Sequence, residues 1–477
     1  MQVNEVETMR DVWARIDAMR DQFTALSNVV WETPELNYEE YQSAAAHEQL
    51  LRKLGFRVET GIAGIPTAMV GEAGEGGPVI AILGEYDALP GLSQKAGVDE
   101  RDPVHEGGSG HGCGHNLLGA GSMHAAAAVK SYLEAHGLPG RIRYYGCPAE
   151  EGGAGKGFMV RAGVFDDVDA AICWHPAAFS GVANPVSLAC NEINYHFSGV
   201  ASHASSAPHL GRSALDAVEL MNVGVNYMRE HMPASARIHY AVTDSGGIAP
   251  NVVQARATVR YLVRAADLDG LRTLRAWVDD IARGAALMTQ TTVRSQIVSG
   301  DANVVGNTPL EDLMQAQFAE LGPPDFDDAD RALAARFQAT VGEEAVLSAF
   351  RRAGLKRAEG LVLCNAIAPR YAGDESQLAS TDVGSVSWVT PTVQARGATY
   401  AIGTPGHSWQ LVAQGKSSIA HKGMVHTAKI MASTAVRLYL RPDILEMAKA
   451  EHRARVGDGP FQNPIPDDVR VPLPASH

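Results

Sequence analysis

The sequence has no long apolar run, and its few cysteines are scattered. No stretch approaches the roughly 20 consecutive apolar residues that a membrane-spanning helix needs. Residues 1–20 alternate charged and apolar side chains and do not have the pattern of a secretory signal. Five cysteines spread over 477 residues do not predict a disulfide framework. We therefore expect a cytoplasmic protein that does not associate with membranes.

Positive charge and several common catalytic motifs are also scarce. The chain has 40 Lys and Arg against 54 Asp and Glu, a net charge of -14, which argues against nucleic acid or anionic membrane as the main partner. Residues 152–157 lack the spacing of a phosphate-binding loop, and residues 107–110 only superficially match a serine nucleophile elbow. Neither nucleotide nor serine-dependent chemistry is favoured.

The first part of the chain alternates predicted strands and helices. Its length, 477 residues, exceeds the size at which one hydrophobic core stops growing, so we expect two domains. Three predicted strands, over 78–84, 141–147 and 169–174, each end in ionisable residues, and a helix lies between consecutive strands. This order predicts an α/β sheet with its chemistry at the carboxyl ends of the strands.

A different order follows, and helices return after it. The segment reads strand, helix, strand, strand, helix, strand, which is typical of a split βαβ layer inserted into another domain. Helices resume near residue 308, and an acidic, alanine-rich helical stretch covers 326–354. A strand is predicted over 398–402 and a long helix over 419–440. The elements predicted for the insert are strands 186–200, 237–243, 252–264 and 291–298 and helices 212–231 and 268–287.

One short loop carries the strongest chemical signal. Residues 110–116 read Gly-His-Gly-Cys-Gly-His-Asn, which places His111, Cys113 and His115 at alternate positions. Thiolate and imidazole are donors for zinc, manganese, cobalt and nickel, and a thiolate can bridge two ions. A helix follows, which Asn116 is placed to cap. The alternative interpretation is a glycine-rich turn with a buried cysteine and solvent-exposed histidines.

Other candidate ligands lie at predicted strand ends and loops. Glu150 and Glu151 follow a strand, so that one carboxylate could bind metal while the other faces a bound water. His175 ends the next strand, and His407 lies in a Gly/Pro loop before a helix. The alternatives are a solvated turn for the glutamates, a buried rim residue for His175 and a surface cap for His407.

These motifs, taken together and in order, resemble the co-catalytic metallopeptidase family of aminoacylases, glutamate carboxypeptidases and auxin-conjugate amidohydrolases. The resemblance covers nearly the whole chain. Within the family, residues 113–121 and 380–388 resemble the aminobenzoyl-glutamate hydrolase branch, in which the matching protein is one half of a two-subunit assembly. Asn116 and Leu118 stand where other relatives carry Asp and His. The matching pieces are 84–90, 111–115, 148–153, 174–175, 202–204, 250–252 and 406–408.

The resemblance implies a set of site residues. It implies that Glu150 is the general base and that Asp87 orients the site from behind the ligands. His203 would reach a neighbouring active site and stabilise the oxyanion, and Asn251 would bind the substrate carboxylate. His111 is left with a supporting or structural role. The implied ligands of two divalent ions, zinc or manganese in our expectation, are Cys113, His115, Glu151, His175 and His407.

The resemblance also implies the architecture. It predicts an α/β catalytic domain of the metallopeptidase type, with a mixed central sheet flanked by helices, formed by residues 1–187 and 306–477. Residues 188–305 would form an inserted ferredoxin-like α+β domain that acts as the dimerisation lid. We therefore expect a homodimer.

The reaction implied is hydrolysis of the amide between an acyl or aroyl group and an amino acid, such as p-aminobenzoyl-glutamate. Two other functions stay open at this point. One is a dipeptidase or carboxypeptidase that acts on ordinary peptide bonds, since the same metal centre could perform that reaction. The other is a chain that is active only with a second, different polypeptide.

Overall fold

The computed structural model describes residues 5–371 and 379–474, so Met1 to Asn4 of the N-terminal stretch lie outside the described residues. Within the described ranges, no helix has the length and apolar content needed to cross a membrane. The helices are α1 Glu5–Glu32, α2 Tyr41–Lys53, α3 His115–His136, α4 Gly155–Arg161, α5 Ala214–Met228, α6 Leu268–Thr289, α7 Thr308–Leu321, α8 Asp328–Ala339, α9 Glu343–Arg352, α10 Val383–Ser387, α11 Trp409–Gln414, α12 Ser418–Leu440 and α13 Pro442–Val456. The strands are β1 Arg57–Thr60, β2 Met69–Glu75, β3 Val79–Glu85, β4 Gly140–Cys147, β5 Ala170–Ala177, β6 Gly181–Val182, β7 Ala189–Ser198, β8 Arg237–Asp244, β9 Arg256–Ala265, β10 Thr292–Asp301 and β11 Thr392–Ala398.

A seven-stranded mixed sheet forms the larger layer, in the order β1-β2-β4-β3-β5-β11-β6. Strands β4, β3, β5 and β11 are parallel neighbours, whereas β1, β2 and β6 pair antiparallel. The α/β fold with a mixed central sheet is therefore confirmed. Because β3, β4 and β5 run in the same direction, the residues that follow them meet at one edge of the sheet.

Strand β3 is buried on both faces, as its continuous apolar run predicts. Ile80 and Ile82 face a core that includes α1, α3 and α12. Ala81 and Leu83 face the opposite core, which includes the α4 residue Phe158. Helices thus cover both sides of the sheet, and the loop before α3 is held against the sheet edge.

A separate antiparallel sheet has the order β10-β7-β9-β8. The predicted order of strand, helix, strand, strand, helix, strand is confirmed by β7, α5, β8, β9, α6 and β10. Alternate residues of β7 and β9, among them Ile193 and Val259, pack with α5 and α6 in a core of their own. The domain boundaries at 187/188 and 305/306 and the lid role remain predictions.

The strand predicted over 398–402 was wrong in position. Strand β11 spans Thr392–Ala398, where it pairs in parallel with β5. Gln394 and Arg396 interrupt its apolar pattern because both line a cavity, so that hydrophobic periodicity does not indicate a strand there. Residues 401–402 are buried and follow the strand.

The cap prediction for Asn116 was also wrong. Helix α3 begins at His115, and its N-cap is Gly114, at φ 78°. The Asn116 side chain instead donates to Ser27 Oγ at 3.0 Å and to the Gly415 carbonyl at 3.1 Å. The helical stretch 326–354 is confirmed as two helices, α8 and α9, whereas α13 was not predicted.

Candidate metal centre

The loop before α3 turns two donor side chains toward the sheet edge. Gly114 adopts a left-handed conformation, and a Cβ there would lie 2.9 Å from Pro176 Cγ, so both the backbone and the space require glycine. Cys113 precedes this turn and His115 opens the helix. The turn also contacts the loop that carries His407, because the His407 backbone N–H donates to the Gly112 carbonyl at 2.9 Å.

His175 extends this donor set from the end of β5. Its Nε2 lies 3.2 Å from Cys113 Sγ, and its Nδ1 donates to the Pro176 carbonyl at 2.8 Å. A neutral imidazole with its proton on Nδ1 has a lone pair on Nε2. One candidate ligand atom from each of Cys113, His115 and His175 lies within 4.8 Å of the others.

A second group of donors shares Cys113. Glu151 Oε2 lies 3.4 Å from His407 Nε2. The ligand atoms of Cys113, Glu151 and His407 also lie within 4.8 Å of one another. The two groups therefore have the Cys113 thiol in common, and thiolate, imidazole and carboxylate are all donors for divalent transition metals. The structure thus brings all five predicted ligands together.

Asp87 fixes both groups from behind. It is fully buried, accepts from His115 Nδ1 at 2.9 Å with one oxygen, and accepts from the Glu151 backbone N–H at 2.9 Å with the other. The first contact leaves His115 Nε2 directed away from Asp87. Such a partner sets the ring orientation and the tautomer of a metal-binding histidine.

Glu150 lies among further ionisable side chains. Its carboxylate groups with Glu85 and His115 within 4.8 Å. Burial raises the pKa of Glu150 well above its usual value, and the neighbouring Glu85 and Glu151 carboxylates raise it further. A carboxyl group in such surroundings accepts a proton readily, as a general base must.

Sequence reasoning missed a buried ion cluster directly below the site. The ammonium of Lys156 is fully buried and contacts Glu85 Oε1 at 2.5 Å and Asp382 Oδ1 at 2.7 Å. Asp382 also accepts from the Lys156 backbone N–H at 2.9 Å. Lys156 stood out only as a lysine in a glycine-rich run, and Asp382 only as part of a family motif. The cluster joins β3, α4 and the start of α10.

Two of the candidate ligands have a raised affinity for protons, which a divalent cation would have to displace. Burial raises the pKa of the Cys113 thiol, and the Glu151 carboxylate adds to the effect. Burial lowers the pKa of His115, yet the Asp87 carboxylate outweighs this and holds it well above its usual value. Buried His115 Nε2 makes no hydrogen bond but faces the Glu85 carboxylate, with Oε2 at 3.3 Å, and buried Glu151 Oε1 has no hydrogen-bond partner. Ions at these atoms would satisfy them and would stabilise the thiolate.

The donor groups open into a cavity of about 560 Å³. Cys113, Glu150, Glu151, His175 and His407 all line it. The sheet unit formed by β7 to β10 contributes its opposite wall, including Arg264 and Asp301. The cavity is large enough for a small amide substrate next to the donors.

His203 and Asn251 do not line this cavity. Both are exposed, and they lie side by side, because His203 pairs with Val252 in an isolated β-bridge and the Ala204 N–H donates to the Asn251 carbonyl at 2.9 Å. His203 Nδ1 accepts from the Ser205 and Ser206 N–H groups at 3.3 and 3.2 Å. Within one chain they form a pair separate from the donor groups.

Two other residues of the loop and helix have structural contacts. His111 is buried and donates from Nε2 to the Val30 carbonyl at 2.9 Å, away from the ligand groups. Leu118 is buried, and its carbonyl accepts from Trp174 Nε1 at 3.0 Å. With the contacts of Asn116 described above, these bonds attach the start of α3 to its neighbours.

Comparison with known families identifies the chain. Residues 81–354 match the model of peptidase family M20/M25/M40. The chain belongs to this family. A subunit of the p-aminobenzoyl-glutamate hydrolase of Escherichia coli K12 is 45% identical over 97% of this chain and 98% of the relative. The M20 chain described here is therefore a hydrolase that acts on amide bonds.

Two further relatives and one solved structure place the M20 chain more closely. The Xaa-Arg dipeptidase of Mus musculus is 29% identical over 94% of this chain and 93% of the relative. The other p-aminobenzoyl-glutamate hydrolase subunit of Escherichia coli K12 is 31% identical over 50% of this chain and 56% of the relative. A dinuclear metal-binding peptidase of the M20 family from Bacillus subtilis shares the fold, with a TM-score of 0.54 and 16% identity over 87% of this chain and 98% of that one.

Proposed function

We propose that the chain hydrolyses the amide bond between an aroyl group and glutamate in p-aminobenzoyl-glutamate and similar acyl-amino acids. The observation that carries the proposal is the pair of donor groups that share Cys113 and open into one cavity with Glu150. The 45% identity to a p-aminobenzoyl-glutamate hydrolase subunit over nearly the full chain supports the substrate.

Five side chains would hold two divalent ions, zinc or manganese. Cys113 belongs to both groups of donors, His115 and His175 to one of them, and Glu151 and His407 to the other, and all five would hold the ions. When bound, the ions would supply Lewis acidity toward water and toward the amide carbonyl. Asp87 would hold His115 in its ligating tautomer.

Glu150 would perform the proton transfers of the reaction. Its carboxylate would accept a proton from the attacking water and then donate that proton to the departing amine nitrogen. Its burial beside Glu85 and Glu151, which raises its pKa, supports both roles because the protonated form has to exist between the two steps. Water, amide and Glu150 are the only proton partners that this scheme needs.

His203 and Asn251 would complete the site of a neighbouring protomer. His203 would stabilise the oxyanion, and Asn251 would bind the substrate carboxylate. Their exposure outside the cavity of their own chain supports action on another chain. We therefore propose a homodimer in which the lid domain, residues 188–305, exchanges these side chains.

Exposed apolar residues on the lid support this dimer. Leu220, Val223 and Tyr227 lie one helical turn apart on α5 and are 38, 49 and 72% exposed. Such a stripe is typical of a face that another chain covers.

A second, different polypeptide is also proposed as a partner, because the 45% identical relative is named as a hydrolase subunit and another subunit of that hydrolase is a separate protein.

We also propose that the protein is located in the cytoplasm. Its five free cysteines support this, because thiols stay reduced there.

Elemental analysis followed by a substrate panel tests the proposal. We expect two equivalents of zinc or manganese per chain and faster hydrolysis of p-aminobenzoyl-glutamate than of acetyl amino acids or dipeptides. A chelator should abolish turnover, and added metal should restore it. Preference for Xaa-Arg dipeptides would assign the chain to the dipeptidase activity instead. Activity that appears only after a second polypeptide is added would establish the partner-dependent form.

A further inference from the structure

The loop that carries Glu150 and Glu151 is a tight turn with a strained backbone. It covers residues 148–154, between β4 and α4. Ala149 has a φ of 59°, in the left-handed region that a residue with a Cβ rarely adopts. The Gly153 N–H donates to the Ala149 carbonyl at 2.9 Å and closes the turn around the two glutamates. A strained conformation of this kind persists only where neighbouring residues hold it.

The connection between α1 and α2 supplies two side chains that hold this turn. Glu40 is fully buried, and its Oε1 accepts from the Ala149 N–H at 2.9 Å while its Oε2 accepts from the Thr67 hydroxyl at 2.9 Å. The hydroxyl of buried Tyr38 donates to the Gly153 carbonyl at 2.6 Å. One bond therefore fixes the residue before the two glutamates, and the other fixes a residue after them.

The contact between this connection and the turn is close, and the connection is itself attached near the site. A Cβ on Gly153 would lie 2.6 Å from Tyr38 Cε2, so the tyrosine ring packs directly against the backbone of the turn. The Ala88 N–H donates to the Glu35 carbonyl at 2.8 Å. Because Ala88 directly follows Asp87, the connection is fixed to the strand end that supports the candidate ligands.

We propose that Tyr38 and Glu40 are positioning residues, which act on the reaction by holding the turn so that the Glu150 carboxylate faces the donor groups. The inference rests on the proposed role of Glu150 as general base. Neither positioning residue lines the cavity, so both would act through the turn and not on the substrate. A general base works only within hydrogen-bond reach of its proton, and a misplacement of about 1 Å can cost roughly 100-fold in rate. Glu151 has its own backbone bond to Asp87, so metal binding should depend less on this support.

Tyr38→Phe and Glu40→Leu each remove one of the two bonds and keep most of the side-chain volume. For metal-loaded protein, kcat with p-aminobenzoyl-glutamate should fall roughly 10- to 100-fold, while KM and metal content stay within about twofold of the wild type. Wild-type kcat in both variants would overturn the proposal. A loss of metal that accounts for the whole fall in rate would also overturn it.

Glu40→Gln is the conservative variant that should rescue activity. Its amide carbonyl can accept from the Ala149 N–H, and its amide N–H can donate to the Thr67 hydroxyl. We therefore expect kcat to return to within about threefold of the wild type. A fall as large as that of Glu40→Leu would contradict a role through this hydrogen bond.

Tyr439→Phe is the matched control for a general loss of stability. Tyr439 lies on α12, donates its hydroxyl to the Arg141 carbonyl at 2.7 Å and does not line the cavity. Tyr38→Phe and Tyr439→Phe thus remove the same kind of bond, and both should lower the free energy of unfolding. Only Tyr38→Phe should lower kcat. An equal fall in kcat in the two variants would assign the effect to stability and overturn the proposal.

A double-mutant cycle tests whether the support acts through the general base. Glu40→Leu is combined with Glu150→Gln, and the residual turnover is measured with enzyme in excess over substrate. If Glu40 acts through Glu150, the second substitution should lower the residual rate by less than about twofold. A further fall of roughly 10- to 100-fold would show that Glu40 acts by another route.

Hydrogen exchange separates failure of the inference from failure of the proposed function. Amide hydrogens of the segment 148–154 should exchange faster in Tyr38→Phe and Glu40→Leu than in the wild type, and at the wild-type rate in Tyr439→Phe. Unchanged exchange in the first two variants would overturn the positioning role, whether or not any amide is hydrolysed. Faster exchange in a protein that hydrolyses no amide would support the hold on the turn and refute only the proposed function.

Discussion

The carboxylate of Asp87 accepts a 2.9 Å hydrogen bond from Nδ1 of His115, on the side of the ring opposite the candidate ligand atom Nε2. Asp87→Asn replaces this charged acceptor by an amide. Because loss of such a partner weakens metal binding about 10- to 100-fold, we expect the variant to release metal at a lower chelator concentration than the wild type. Elemental analysis after dialysis against graded chelator measures this.

Asp102→Asn provides the control for that comparison. Asp102 lies in the loop before the ligand turn, near the surface. Its ion pair is with Lys95, at 2.8 Å, and involves no candidate ligand. It should retain metal like the wild type. Equal metal retention by Asp87→Asn would show that Asp87 does not orient His115.

Glu150→Gln tests the general base. The variant keeps the volume and the neighbours of Glu150 but cannot accept the proton of the attacking water. Turnover should fall by at least roughly a hundredfold while metal content stays at the wild-type level. Steady-state rates and elemental analysis of the same preparation give both values, and undiminished turnover would remove Glu150 from this role.

His203→Ala should fold normally and hydrolyse substrate weakly. If His203 acts on the neighbouring protomer, two inactive variants should restore activity when they are mixed. His203→Ala chains keep Glu150, and Glu150→Gln chains keep His203, so a mixed dimer has both side chains at one of its two sites. After random exchange of protomers, half of the dimers are mixed and each contains one complete site, so activity should return to roughly a quarter of the wild-type rate.

The mixing experiment has an internal control. Each variant alone, taken through the same dissociation and reassociation, should stay nearly inactive. A mixture no more active than the sum of its two parts would exclude the exchange of His203 between protomers.

Lys156→Met tests the buried ion cluster. Removing the ammonium leaves the Glu85 and Asp382 carboxylates buried without their cation, and breaking such a pair costs about 3–5 kcal/mol of unfolding free energy. Lys95→Met breaks an exposed pair with Asp102 and should cost less than about 1 kcal/mol. Denaturant unfolding of both variants checks this, and equal losses would contradict it.

Burial of His124, a residue outside the candidate metal centre, leads us to expect that the unfolding free energy falls in acid. Its Nε2 donates to the Ile16 carbonyl at 2.8 Å, its ring stacks on Phe23, and burial lowers its pKa to about 4 from 6.5. The unfolded chain therefore binds the proton first as pH falls. The stabilisation is complete above pH 6.5 and is lost as pH falls toward about 4, by at most about 1.4 kcal/mol per pH unit.

His124→Gln keeps a donor for Ile16 and removes this titration. The difference in unfolding free energy between wild type and variant should shrink as pH is lowered from about 7 to about 4.5, measured by urea unfolding on metal-free protein. Parallel curves for the two proteins over that range would contradict the prediction.

The sequence predicted those elements whose pattern of apolar residues matches their burial in the folded protein. The apolar run of β3 specified a strand buried on both faces, and the residues after β3, β4 and β5 meet because parallel strands end at one edge. Strand β11 was misplaced because two of its side chains, Gln394 and Arg396, are polar and line the cavity beside the donor groups. A polar residue at a functional position has the same local signature as a residue in a loop.

Long-range contacts account for the rest of the site. Nothing in the neighbourhood of Lys156 indicates that its side chain lies between Glu85 and Asp382, because these partners come from segments far away in the chain. Asn116 was expected to cap α3 by residue type alone. Its amide instead reaches α1 and the end of α11, a choice that depends on how the helices pack.

The hydrogen bond between the His407 N–H and the Gly112 carbonyl has a consequence for biosynthesis. Cys113 and His115 leave the ribosome early, but the last candidate ligand follows only after the whole four-stranded unit and helices α7 to α10 have been translated. The proposed set of five donors would therefore be complete only on a chain that is almost fully synthesised, and a centre that uses all five would assemble after that point.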